Sequence, residues 1–172
     1  MKNLSPQPRL FYGLWPDAAT RAALAALQPA VGGTPSSTDK LHLTMAFLGQ
    51  REAHEVPVLH SILDEVPASA MTLCFDHYSH FPKADLSWAA LRETPPALLA
   101  LRAALMQRLA GAGLAPAFEH DRFTPHVTLA RKAGPPPAAP FAPVTWQAGE
   151  LVLVESIKSS GDYHVLASRQ FV

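Results

Sequence analysis

Two short phrases in this chain have the residue types and spacing to do proton-transfer chemistry. Leu41-His42-Leu43-Thr44-Met45 and Pro125-His126-Val127-Thr128-Leu129 each set an imidazole and a hydroxyl two residues apart in an apolar run. Successive side chains of a strand point to opposite faces, so His42 and Thr44 share one side while Leu41, Leu43 and Met45 share the other. His126 and Thr128 oppose Val127 and Leu129 in the same way. The apolar side can be buried with imidazole and hydroxyl facing outward. Imidazole titrates at about 6.5, so a neutral and a protonated histidine on either side of a phosphodiester can do complementary work. One takes a proton from an attacking water or hydroxyl, and the other gives a proton to the leaving oxygen. Each threonine lies about 7 Å further along the same face, where its hydroxyl can donate to a non-bridging phosphate oxygen. A single phrase of this kind is an ordinary half-exposed strand. Two of them describe an acid-base couple.

The remaining histidines, His54, His60, His77, His80, His120 and His164, lack the phrase and read as solvated or structural. His77-Tyr78-Ser79-His80 has a metal-like spacing, but no cysteine or second histidine pair accompanies it, so neither a metal nor a cofactor is expected. Lys plus Arg and Asp plus Glu both number 14, giving a net charge of zero. No global field draws in a long polyanion, and a nucleic-acid partner is expected to bind locally. The single cysteine, Cys74, can form neither an internal disulfide nor a thiolate metal site, which fits a reducing compartment, the cytoplasm by default. The apolar run after the N-terminus is interrupted by Pro16 and Asp17, too soon for a signal sequence or a membrane span.

The chain of 172 residues, 48% of them hydrophobic, is long enough to bury a real core as one domain over residues 1–172, built as two interleaved lobes. Arg9 to Trp15 reads as a first strand ending at Pro16, and Ala18 to Leu27 as a helix opened by Pro16-Asp17. Gly33 to Asp39 is turn chemistry leading into the first histidine strand, which Gly49 closes. Val58, Leu59, Ile62, Leu63 and Val66 have helical spacing within 54–66. Strands are expected over 70–76 and 86–91. A third helix follows Pro95-Pro96, carries Leu98, Leu99, Leu101, Leu105, Met106 and Leu109 as core and Arg102 and Arg108 on a solvated face, and stops at Gly111 and Gly113. Lys132 to Pro143 is a surface loop, and two final strands are expected over 150–157 and 163–171. The expected fold is α+β and bilobal: two pseudo-symmetric lobes of antiparallel sheet backed by helices, with the histidine strands facing a central cleft.

Arg131 breaks the pattern. Period two puts His126, Thr128 and Ala130 on the cleft side and points Arg131 into the buried side, where an unpaired guanidinium is costly. Either the strand ends or bulges at Ala130 and releases Arg131 to the cleft rim, or Arg131 pairs with a carboxylate in a structural role. The loop chemistry that follows at once favours the former, and a guanidinium there can make a paired-donor contact with phosphate.

The two phrases and their flanks resemble the 2H phosphoesterase superfamily, in particular the bacterial and archaeal RNA 2′,3′-cyclic phosphodiesterases long labelled 2′-5′ RNA ligases. Arg9-Leu10-Phe11-Tyr12-Gly13-Leu14 resembles that family's opening strand, and Leu41 to Gly49 its first motif with the following Phe-Leu-Gly. Phe81-Pro82 falls where members often carry Phe-Pro. Phe123 to Arg131 resembles the second motif with its flanks, and Glu155-Ser156 with Gly161-Asp162-Tyr163 the closing hairpin. The resemblance implies metal-independent hydrolysis of an RNA-terminal 2′,3′-cyclic phosphate to a 2′-phosphomonoester, with His42 and His126 catalytic and Thr44, Thr128 and Arg131 binding phosphate. RNA 3′ ends, short oligonucleotides or nucleotides are the implied partners of a monomeric protein. Met45 and Ala46 stand where Leu and Lys are common, and Thr34 to Asp39 where members often carry a basic or aromatic segment. Two alternatives stand beside hydrolysis. One is a 2′-5′ RNA ligase using the reverse phosphoryl transfer, with a ribose 5′-hydroxyl in place of water; the other is a non-catalytic RNA-end or nucleotide-binding module.

Overall fold

The structure, a computed structural model, describes residues 4–116 and 122–172; His120 lies outside the described residues. Its strands are β1 (Arg9–Leu14), β2 (Thr34–Pro35), β3 (Leu43–Gln50), β4 (Met71–Phe81), β5 (Leu86–Leu91), β6 (His126–Arg131), β7 (Val144–Ala148), β8 (Glu150–Ser156) and β9 (Tyr163–Gln170). Its helices are α1 (Ala18–Ala25), α2 (Val56–Glu65) and α3 (Pro96–Gly111). The fold is α+β, and the strands form one antiparallel sheet in the order β7-β4-β5-β6-β3-β1-β8-β9, with β2 against β6.

This sheet has two halves of one plan. In one, β3 is followed outward by β1, β8 and β9; in the other, β6 is followed by β5, β4 and β7. The histidine strands meet at the middle through one pairing, Leu43 with Val127. Each half contains a strand-helix-strand unit, β1-α1-β3 or β5-α3-β6, whose two strands are antiparallel neighbours. The expected lobes are thus halves of a continuous sheet. Leucines of all three helices join Leu10, Leu43, Met45, Val127 and Leu129 in the main core, so the helices cover one face. Phe11, Val152 and Val154 form a smaller apolar cluster on the other face, because alternation along β1 and β8 turns them away from the helices.

Local chemistry explains the helix ends. The Asp17 side chain accepts the Thr20 N–H at 2.7 Å and caps α1. After α3, Gly113 takes a φ of 72°, and Leu114 N–H donates to the Leu109 carbonyl at 2.8 Å. That is a glycine-dependent C-terminal cap. Arg102 differs from expectation: its guanidinium donates to the Met45 carbonyl at 2.6 Å. The β1–β3 register passes over Met45, leaving that carbonyl for the tie between α3 and β3. Arg108 lies 3.7 Å from Glu65.

Two strands go beyond the sequence reading. Within the expected turn, β2 pairs Thr34 with Arg131 and Pro35 with Ala130. Before the last two strands, β7 pairs with β4. Further, β4 runs on to Phe81, β3 runs one residue past Gly49, and β3 begins at Leu43, just after His42. A helical turn over Thr38–Lys40 delivers His42 to the strand. No described helix is long and apolar enough to cross a membrane.

Candidate active site

The Leu43–Val127 pairing fixes the site's layout. Extending that antiparallel register by one residue each way sets His42 across from Thr128 and Thr44 across from His126. All four belong to the face opposite the buried Leu43 and Val127. The ladder goes no further, so the strands part around a cleft of about 690 Å³ that His42, Thr44, His126, Thr128 and Arg131 all line. The five residues singled out in sequence therefore converge, although 84 positions separate the two histidines (126 − 42).

His42 is tightly held. A carbonyl can only accept, so the 2.6 Å contact of Nδ1 with the Lys40 carbonyl places the ring proton on Nδ1. Nε2 then accepts the Thr44 hydroxyl at 2.8 Å. The ring stacks on Phe11 at 4.8 Å and 25°, meets Tyr163 edge-on at 5.6 Å, and has Trp15 5.6 Å away. Gly13 permits this seat: a Cβ there would lie 3.3 Å from His42 Cδ2. Burial among these rings pushes the His42 pKa down to about 4, the Lys40 carbonyl opposes the shift, and the charges of His126 and Arg21 add to it. Arg21 lies behind the site, with its guanidinium 5.1 Å from the Trp15 ring and donating at 2.6 Å to the carbonyl of Asp39. It thereby braces the turn whose next carbonyl, that of Lys40, holds His42.

His126 is held more simply. Its Nδ1–H donates to the Thr124 carbonyl at 2.7 Å, which again leaves Nε2 as the working nitrogen. Phe81 meets the ring edge-on at 5.1 Å and Trp88 lies 5.3 Å away. Burial lowers its pKa and the Thr124 carbonyl opposes the shift. The charge of His126 is one of the causes that depress His42, so the two imidazoles disfavour being charged together.

Arg131 reaches the cleft through a bulge. β5 pairs Trp88 with Thr128 but Ser87 with Ala130, passing over Leu129. Leu129 and Ala130 are consequently both buried, Arg131 is exposed, and Lys132 turns the chain with a φ of 51°. Arg131 forms no ion pair among the described residues. β2 can lie against this bulge because Gly33 has a φ of 80°; a Cβ at Gly33 would overlap the Arg131 carbonyl. The segment before the first motif, Thr34 to Ser37, thus becomes part of the cleft wall.

The sequence reading missed the aromatic seats. Phe11 and Gly13 alternate along β1 and Trp15 follows just beyond it, so period two could have placed them beside His42; Tyr163, Phe81 and Trp88 arrive from other strands. Nothing local marks Arg21. Three of the other histidines have partners elsewhere: His77 with Asp76 at 2.7 Å, His80 with the Ala133 carbonyl at 2.8 Å, and His60 with Asp64 at 3.5 Å. Among the described residues no three metal-ligating side chains converge.

A nine-stranded antiparallel sheet carrying two His-x-Thr strands on one cleft defines a two-histidine phosphoesterase fold. The chain belongs to the 2′-5′ RNA ligase superfamily, whose family model matches residues 15–158. It is 31% identical over 144 residues to the RNA 2′,3′-cyclic phosphodiesterase of Escherichia coli (strain K12), covering 78% of this chain and 80% of that protein. The crystal structure of E. coli LigT in apo form superposes with a TM-score of 0.84 at 25% identity, covering 98% of this chain and 99% of that one. E. coli LigT complexed with 3′-AMP gives a TM-score of 0.80 at 27% identity, with the same coverage.

Proposed function

We propose that this protein hydrolyses RNA-terminal 2′,3′-cyclic phosphates to 2′-phosphomonoesters without a metal, acting as a monomeric single domain in the cytoplasm. The observation that carries the reading is the convergence on one cleft of two imidazoles, each with Nδ1–H tied to a carbonyl and Nε2 left as an acceptor, that of His42 resting on the Thr44 hydroxyl. The curated relative's activity and the complex of LigT with 3′-AMP support the substrate class. The phosphorus sits between the two Nε2 atoms. One neutral imidazole removes a proton from water as it attacks phosphorus, and the protonated imidazole gives its proton to the departing 3′ oxygen. The 2′ oxygen stays bonded, which yields the 2′-phosphate. Thr128 and Arg131 donate to non-bridging oxygens, and Thr44 joins them once its hydroxyl turns from His42 to the phosphate.

The test is incubation with an oligonucleotide ending in a 2′,3′-cyclic phosphate, with EDTA and no added metal, followed by identification of the product isomer. The 2′-phosphate is expected at the rate found without EDTA. Loss of activity on chelation with restoration by one ion, or no turnover at all, would overturn the reading.

A further inference from the structure

The cleft does not close beyond the histidines. Past the turn between β8 and β9 it shares Arg9 and Lys158 with a second basin of about 610 Å³ that reaches Ser5, Gln7 and Gln50. The β1–β3 register brings this composition together by pairing Arg9 with Gln50. Arg9 and Lys158 are both exposed and have no hydrogen-bond or ion-pair partner among the described residues. The carboxylates closest in the chain are already engaged: Glu155 is buried and accepts the Ser5 hydroxyl, and Glu52 accepts the Gln7 amide at 3.0 Å. Among the described residues no Asp or Glu lines either cavity. In a chain with 14 acidic and 14 basic side chains, that is local segregation of charge. Tyr163 joins the two regions, since its phenol lies in the field of both Arg131 and Arg9.

We propose that the second basin holds the ribose-phosphate chain on the 5′ side of a single-stranded RNA whose terminal cyclic phosphate occupies the histidine pair, with Arg9 and Lys158 on its phosphates. The proposal rests on the phosphodiesterase reading above and adds a substrate length and direction to it. A cyclic phosphate is the last group of its strand, so whatever leaves the histidine site is the 5′ chain. Cations with neutral amide and hydroxyl neighbours suit phosphate and ribose oxygens. A mononucleotide has no phosphate beyond the reacting one, so it leaves both cations unused.

The experiment compares a nucleoside 2′,3′-cyclic monophosphate with a trinucleotide ending in the same cyclic nucleotide, for the natural protein and the R9Q/K158Q double variant. The natural protein should prefer the trinucleotide at least about tenfold in kcat/KM, and the double variant should lose most of that preference. Two fewer phosphate contacts should also flatten the slope of log(kcat/KM) against log salt for the trinucleotide by about 1.4, at about 0.7 per single-strand contact. Equal efficiency on the two substrates in the natural protein, or an unchanged preference in the double variant, overturns the basin alone. Turnover of neither substrate by the natural protein overturns the phosphodiesterase reading and the basin with it.

Discussion

The two halves of the site begin from one sequence phrase and end in different states. His42 has three aromatic neighbours, a hydroxyl on Nε2, and a pKa pressed down to about 4. His126 has two aromatic neighbours, and the Thr128 hydroxyl has no hydrogen-bond partner among the described residues. Arg131 stands on the His126 strand with no counterpart after Thr44, where β3 continues inward through Met45 and Ala46. The His-x-Thr spacing supplies the groups and their common face. The strands packed alongside set how readily each imidazole is charged. Burial is common to both, but the His42 pocket is the more apolar and has two cations against it, so its neutral form is favoured more.

The largest effect should come from removing either imidazole. His42→Ala and His126→Ala are each expected to cost at least about a hundredfold in kcat on a cyclic-phosphate oligonucleotide. The double variant should be little worse than either, because an acid and a base serve one transition state. Near-full activity in either single variant would break the equivalence of the halves.

Next in size is Arg131, the asymmetric element. Both Arg131→Lys and Arg131→Ala should lower kcat/KM by about ten- to a hundredfold, in line with loss of a charge-assisted, paired-donor contact, while thermal melting stays near that of the natural protein. Full activity in both, or activity lost only together with the fold, would remove phosphate binding from the bulge.

A smaller effect is expected in the pH profile. The pair works with one proton bound, so kcat/KM should fall on the acid side near pH 4, as His42 protonates, and on the alkaline side below 6.5, as His126 loses its proton. Arg21 touches neither substrate nor reacting atoms in this scheme and acts as a positioning residue through the turn and its charge. Arg21→Met should move the acid limb upward, because the cation that disfavours a charged His42 is gone. An unmoved limb would confine Arg21 to packing.

The smallest expected effect is on stability. The folded-state pKa of His42 lies below its unfolded value of about 6.5, so between that pH and about 4 the unfolded chain binds the extra proton. The stabilisation is full above that window and is lost as pH falls through it, by about 3 kcal/mol at most. Denaturant melts of the natural protein and His42→Asn at pH 7 and pH 4.5 should show a smaller pH dependence in the variant. Equal dependence would mean that the His42 seat is more open to water than its aromatic neighbours suggest.

Much of this architecture was legible in the chain. Period two around His42 and His126 determined which face each side chain takes, because an antiparallel strand with one buried face admits a single phase. Leucine spacing and the Pro and Gly punctuation located all three helices. The polarity change at Arg131 pointed to a strand end or a bulge at Ala130, since a guanidinium in the core is too costly to leave unpaired, and the structure has the bulge. Other features were decided only by tertiary structure. Thr34-Pro35 has too few residues to mark a strand, and becomes one only because Gly33 lets it lie on β6. Val144–Ala148 is a strand because β4 runs alongside it. The pKa difference between the histidines also lies outside any local pattern: it comes from Phe11, Trp15, Tyr163 and Arg21, brought to His42 from other strands and from α1. Desolvation and charge act through space, and sequence spacing reports distance only along the chain.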